Sequence, residues 1–155
     1  MSVEVDVQFV VQHETLPPAS AFRIWANAAM AGYGGDAEIT VRVTDESESQ
    51  QLNREYRGKD RPTNVLSFPF DAPEGLPAGE AGNHLGDLVI CAPVVEHEAL
   101  EQKKTPAAHW AHMVVHGVLH LRGFDHEDEN EAQVMEDKER EVLDGLGFSD
   151  PYAAV

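Results

Sequence analysis

With 155 residues, 42% of them apolar and 25% charged, the chain can build one sizeable core and is too short for two, so a single domain over residues 1–155 is expected. A formal charge of −17, from 28 acids against 11 Lys and Arg, excludes indiscriminate nucleic-acid binding, because an acidic surface repels phosphates unless its few basic groups are gathered. No apolar run approaches a membrane span, and the amino terminus carries acids where a signal peptide carries lysines, so a cytoplasmic protein without a membrane partner is expected.

Val3 to Val10 alternates apolar with polar residues and reads as a strand with one wet face. After Pro17 and Pro18, Ser20 to Ala31 has helical composition, with Phe22, Trp25, Ala28 and Ala29 on one face, and Gly32, Gly34 and Gly35 turn the chain. Glu38 to Thr44 alternates again, with Ile39, Val41 and Val43 pointing one way. Asp45 or Ser47 caps the next helix, whose inward side is expected to be Leu52 and Tyr56 and which Gly58 ends. Four basic residues, Arg54, Arg57, Lys59 and Arg61, fall at that helix end and in the loop beyond it, a placement suited to reaching a ligand.

Asn64 to Phe70 is β-prone but contains Pro69, which has no N–H for a ladder, so this strand is expected at an edge or to finish there, with Phe68 and Phe70 buried. Ser67 has no base placed beside it and reads as a locally bonded strand serine. Asp71 to Asn83, rich in Pro, Gly and Ala, reads as the one long loop. Leu85 to Cys91 comes next as a buried strand, in which Cys91 is expected as an inert thiol and Asp87 bonds locally or orients a ligand histidine. Pro93 opens a helix with Val94, Val95, Glu98 and Leu100, and Thr105-Pro106 starts another that extends through His120. Asp128 or Asn130 begins a last helix with Val134, Met135, Val142 and Leu143; the nine acids between Glu127 and Asp144 read as its solvated face. Phe148 to Val155 is a short tail, docked by its aromatics or loose. The order β-α-β-α-β-β-α-α-α gives an α+β fold, a mixed sheet covered by helices, with no glycine loop of the P-loop or dinucleotide kind.

Three histidines carry the chemistry. His116 and His120 are four apart, which stacks them on one face of a helix. Gly123 lets the chain leave the helix and turn back, bringing His126 round as a third nitrogen ligand and leaving one tetrahedral corner open for water, as in catalytic zinc sites. His112 lies one turn earlier and forms a competing triplet with His116 and His120, but three turns of straight helix span about 12 Å, so it is expected behind the ligands or in the core. Asp125 and Glu127 flank His126, and spacing alone leaves them open as ligands or bases. The same H-x-x-x-H-x-x-G-x-x-H spacing occurs in metzincin metalloproteases. There a glutamate comes directly after the first histidine as general base; here Gly117 stands in its place, which disfavours peptidase chemistry.

Ala111 to His126 (AHMVVHGVLHLRGFDH), Tyr56 to Phe70 (YRGKDRPTNVLSFPF) and Leu85 to Ile90 (LGDLVI) together resemble the bacterial YbeY family of metal-dependent endoribonucleases. The resemblance implies a sheet of four strands with the metal helix packed on it, and one zinc per chain on His116, His120 and His126. It also implies single-stranded RNA as substrate, with roles in 3′-end maturation of 16S rRNA and late ribosome quality control, and the ribosomal small subunit as partner. The arginine of the family's Y-R-G-K-D segment, important for activity, corresponds to Arg57. Its guanidinium offers a fixed fork of donors for the scissile phosphate, while Lys59 and Arg61 would meet flanking phosphates. Two other readings fit the same histidines: a zinc hydrolase of amides or nucleosides, and a non-enzymatic ribosome-assembly factor with a structural zinc.

Overall fold

The computed structural model describes residues 3–12, 15–70 and 84–153. Among these the chain runs β1 (Val3–Phe9), α1 (Ala19–Ala29), β2 (Ala37–Thr44), α2 (Glu46–Arg57), β3 (Val65–Pro69), β4 (His84–Cys91), α3 (Ala92–Glu101), α4 (Pro106–Leu121) and α5 (Glu129–Gly145). That is the expected order; the expected loop from Asp71 to Asn83 lies outside the described residues.

The strands form one mixed sheet in the order β1-β2-β4-β3. β1, β2 and β4 are parallel, and β3 runs antiparallel to β4 at the edge, where Pro69 leaves no neighbouring strand without a donor. The period-two alternation of β2 sends Ile39, Val41 and Val43 to one face, which they share with Leu88 and Ile90 of β4. Against that face lie α1 and α4, joined by Phe22, whose ring meets Trp25 at 5.6 Å and Trp110 at 5.5 Å, both edge-on. Phe22 and Trp110 are fully buried, and truncating a core aromatic of this kind costs roughly 3–5 kcal/mol.

Helix α4 is anchored at its start and along its length. Thr105 accepts a hydrogen bond from the Ala108 N–H (3.2 Å) with Pro106 just inside the helix, which fixes where α4 begins. Gly117 lies against the sheet: a Cβ there would sit 2.7 Å from Leu88 Cδ2, so the missing side chain lets α4 rest directly on β4.

Helix α2 departs from expectation. Asp45 caps it, accepting from the Glu48 N–H at 2.9 Å, and Gly58 ends it in the left-handed region, as read from sequence. Its buried residues, however, are Ser49 and Asn53, while Leu52 is half-buried and Tyr56 is 60% exposed. Phe70 is likewise exposed and Phe68 only half-buried, its ring meeting the exposed Tyr56 of α2 edge-on at 5.3 Å rather than entering the core. Cys91 is fully buried, and burial pushes its thiol pKa up.

Candidate metal centre

Helix α4 ends as the glycine predicts. Gly123 adopts φ 98° and donates to the His120 carbonyl (3.0 Å), and Phe124 donates to the Leu119 carbonyl (3.0 Å), the paired bonds that reverse a chain at a helix end. Asp125 then accepts from the His126 N–H at 2.7 Å, tightening the turn. The result brings three imidazoles together: ring centres lie 4.7 Å apart for His116 and His120, 5.0 Å for His120 and His126, and 5.9 Å for His116 and His126. One nitrogen from each ring lies within 4.8 Å of the others. Burial, reinforced by repulsion from His116 and His126, holds the His120 pKa down and so favours the neutral ring that metals require.

The fourth histidine and an unforeseen acid lie behind them. Glu139 of α5 is 0% exposed and sits 2.7 Å from His116 Nδ1, with its other oxygen accepting from the Tyr152 hydroxyl at 2.5 Å. His112, buried, holds Nε2 3.3 Å from both Glu139 Oε1 and the Tyr152 hydroxyl. Burial alone would raise the Glu139 pKa; the hydrogen bonds from His112, His116 and Tyr152 outweigh it and bring the carboxyl down to about 2. The acids of α5 are thus not all a solvated face. A signal was present: Met135, Glu139 and Val142 fall at helical spacing on one stripe, placing a glutamate where the apolar face should continue.

Asp87 plays no part in orienting these histidines. It bonds His84 Nε2 at 3.0 Å and lines a separate cavity with Arg42, Tyr56 and Phe68. Arg122, though inside the histidine motif, donates to the carbonyls of Ala29 (2.8 Å) and Ala31 (3.2 Å) and so ties α4 to the end of α1. Ser67 donates to the Gly117 carbonyl at 3.3 Å, a packing bond.

The basic loop faces the histidines. An open cavity of about 640 Å³ has His116, His120 and His126 in its lining together with Arg57, Lys59 and Arg61, and with Asp125 and Glu127. The polar inner side of α2 explains this placement: Asn53 donates to the Arg61 carbonyl (2.9 Å) and accepts at its backbone carbonyl from the Lys59 N–H (3.3 Å), while Ser49 bonds the carbonyl and N–H of Thr63, each at 3.0 Å. Arg57 is exposed, leans over the Phe68 ring at 5.4 Å, and donates to the carbonyls of Ser67 (2.8 Å) and Tyr56 (3.3 Å). A guanidinium has five N–H donors, so these two bonds orient it and leave others for a ligand.

The profile of the family described as Endoribonuclease YbeY matches residues 6–147. The chain belongs to the YbeY family. It is 58% identical over 154 residues to the Endoribonuclease YbeY of Alkalilimnicola ehrlichii, an alignment covering 97% of this chain and 92% of that protein. The solution structure of TM1509 from Thermotoga maritima has the same fold, at TM-score 0.55 and 24% identity, covering 98% of this chain and 99% of that one.

The donors suit a metal of the kind read from the YbeY spacing. Three imidazoles suit a first-row transition metal, zinc among them. With one nitrogen from each ring within 4.8 Å of the others, His116, His120 and His126 are the residues that would hold such an ion. A second group, His112, His116 and Glu139, also lies within metal-ligand reach, but its atoms are engaged with one another and with the Tyr152 hydroxyl. Among the described residues no helix is long and apolar enough to cross a membrane.

Proposed function

We propose that residues 1–155 form one metal-dependent domain that cleaves single-stranded RNA, acting in the cytoplasm on the 3′ end of 16S rRNA and in quality control of the ribosomal small subunit. The observation that carries this reading is the meeting of two unlike groups in one cavity of a YbeY-family chain, whose lining includes three imidazoles and three cationic side chains. A net charge of −17 makes that local gathering meaningful, since phosphate would be repelled from most of the surface.

His116, His120 and His126 hold one zinc, which when bound supplies a Lewis acid for a phosphoryl oxygen and lowers the pKa of water. The chain's own residues do the rest. Arg57, oriented by two backbone carbonyls, holds the scissile phosphate by a charge-assisted fork and offsets charge gathering on it. Lys59 and Arg61, fixed by Asn53 and Ser49 beneath their loop, meet flanking phosphates. Asp125 and Glu127 are the carboxylates in the cavity lining able to accept a proton from the attacking oxygen. Gly117 offers none, and its Cβ direction points at Leu88 rather than into the cavity, which argues against peptidase chemistry of the metzincin kind.

Protein stripped of metal and given one equivalent of zinc should cleave an unstructured RNA and spare the same strand in a duplex. An RNA carrying a single 2′-deoxyribose at the cleaved position should resist cleavage if the ribose hydroxyl is the nucleophile and should still be cut if water is. Hydrolysis of casein or simple amides with RNA left intact would contradict the reading.

A further inference from the structure

We propose that the C-terminal turn is part of the metal centre: Tyr152, acting through Glu139, holds His116 as the tautomer whose Nε2 faces the ion. The inference rests on reading His116 as a ligand, and concerns residues that no ligand motif contains.

A histidine ring has two nitrogens, and the one left free for a metal is set by the bond the other makes. For His116 that bond runs from Nδ1 to Glu139 Oε1 at 2.7 Å. An ionised carboxylate only accepts, so the proton of the neutral ring must lie on Nδ1, and Nε2 keeps its lone pair. Glu139 can do this only while it stays charged in a fully buried position, which requires hydrogen bonds to both of its oxygens. The second oxygen is supplied by Tyr152, whose hydroxyl donates to Oε2 at 2.5 Å. His112 Nε2, 3.3 Å from both the Tyr152 hydroxyl and Oε1, closes the network from the preceding turn of α4.

Tyr152 lies beyond α5, so its position must be imposed. Its backbone N–H donates to Asp150 Oδ1 (2.8 Å), and Asp150 accepts from Arg140 Nε at 3.0 and 3.1 Å. The Arg140 guanidinium also lies 5.2 Å over the Tyr152 ring, and that ring meets His112 edge-on at 5.3 Å. Upstream, Phe148 packs edge-on to Trp25 at 6.4 Å and donates its N–H to the Leu143 carbonyl (2.9 Å), which docks the start of the turn on the core. The turn is thus held at both ends with its phenol pressed onto a carboxylate, and the carboxylate pressed onto a ring nitrogen. Without the phenol, Oε2 is left buried and unpaired, and the grip on Nδ1 weakens. His116 then gains access to the tautomer protonated at Nε2, which offers no lone pair on the nitrogen that faces the ion. Glu139 and Tyr152 are positioning residues, with no contact to substrate of their own.

The test uses the full chain and two readouts. In metal-free, 15N-labelled protein at about pH 9, where imidazoles are neutral, the ring shifts of His116 should show the proton on Nδ1. In Tyr152→Phe the Nε2-protonated form should rise, and zinc affinity, measured by competition with a chromophoric chelator, should fall several-fold. Glu139→Gln should lose about 10- to 100-fold in affinity. Tyr152→Phe retains the ring against His112 and Arg140, so a role in packing alone would move neither readout. A wild-type His116 protonated on Nε2, or a Tyr152→Phe variant matching wild type in both measurements, overturns the proposal. Should Glu139→Gln fail to fold, the wild-type spectrum and Tyr152→Phe still decide. If the wild type binds no zinc, the reading of the histidines as ligands fails, while the tautomer measurement still judges the network separately.

Discussion

Replacing Arg57 by alanine separates a catalytic role from a structural one, because the two predict losses of different size. In the folded protein the side chain makes two hydrogen bonds to carbonyls, at 2.8 and 3.3 Å, and lies 5.4 Å over Phe68, all at an exposed position. Exposed cation–π contacts contribute about 0.5–1 kcal/mol, and bonds open to water contribute little more, so stability should fall by about 1 kcal/mol. For a chain of this length that corresponds to a melting temperature lowered by roughly 2–4 °C, with zinc content unchanged. Loss of a charge-assisted contact to a transferring phosphoryl group is larger, about 3–4 kcal/mol, or 10²- to 10³-fold in rate. Arg57→Lys should recover part of that, restoring the charge and not the fork. The assay is single-turnover cleavage of a short unstructured RNA at saturating protein. Equal rates for Arg57→Ala and wild type would refute the assignment, and a collapse in melting temperature would show instead that Arg57 maintains the fold.

Lys59→Ala and Arg61→Ala should each reduce the slope of log affinity against log salt by about 0.7, with the single-turnover rate at saturation little changed; an unchanged slope would remove them from the RNA path. Gly117→Ala places a Cβ 2.7 Å from Leu88 Cδ2 and should cost roughly 1–3 kcal/mol in urea unfolding, whereas equal or greater stability would show that α4 has slack on the sheet. Glu48 is held below its ordinary pKa of 4.5, chiefly by its hydrogen bond from Arg42, so its contribution is complete above that value and lost as pH falls through the lowered folded-state pKa. The stability difference between wild type and Glu48→Gln should accordingly be flat above about pH 5 and shrink below it; a difference independent of pH would contradict this.

What the sequence reveals here is what local chemistry determines. The caps at Asp45, Thr105 and Asp128 are all present, as are the reversal at Gly123 and the edge position of the strand holding Pro69. Each depends on a few neighbouring residues. The gathering of His116, His120 and His126 was legible for the same reason, since one helix and one turn bring them together. The misreadings concern partners distant in the chain. Leu52 and Tyr56 were the apolar choice for the inner face of α2, yet the loop beneath it presents backbone groups, so the buried residues are the polar Ser49 and Asn53. Asp87 sits one strand position from a buried leucine, and alternation turns it to the other face, where His84 is its partner. Glu139 was hidden among neighbouring acids, marked in the sequence only by its place on the apolar stripe of α5; its partner Tyr152 comes from the tail, where no periodicity operates.

Every functional role proposed for this chain depends on one zinc held among His116, His120 and His126. Anomalous diffraction from a crystal of zinc-loaded protein, collected on both sides of the zinc edge, would locate the ion without reference to activity. The expected result is a single strong peak per chain bonded to one nitrogen from each of these three rings, with Glu139 on the far side of His116. A peak bonded to His112 and Glu139 instead, or no peak at the three histidines in protein that retains zinc, would contradict the assignment.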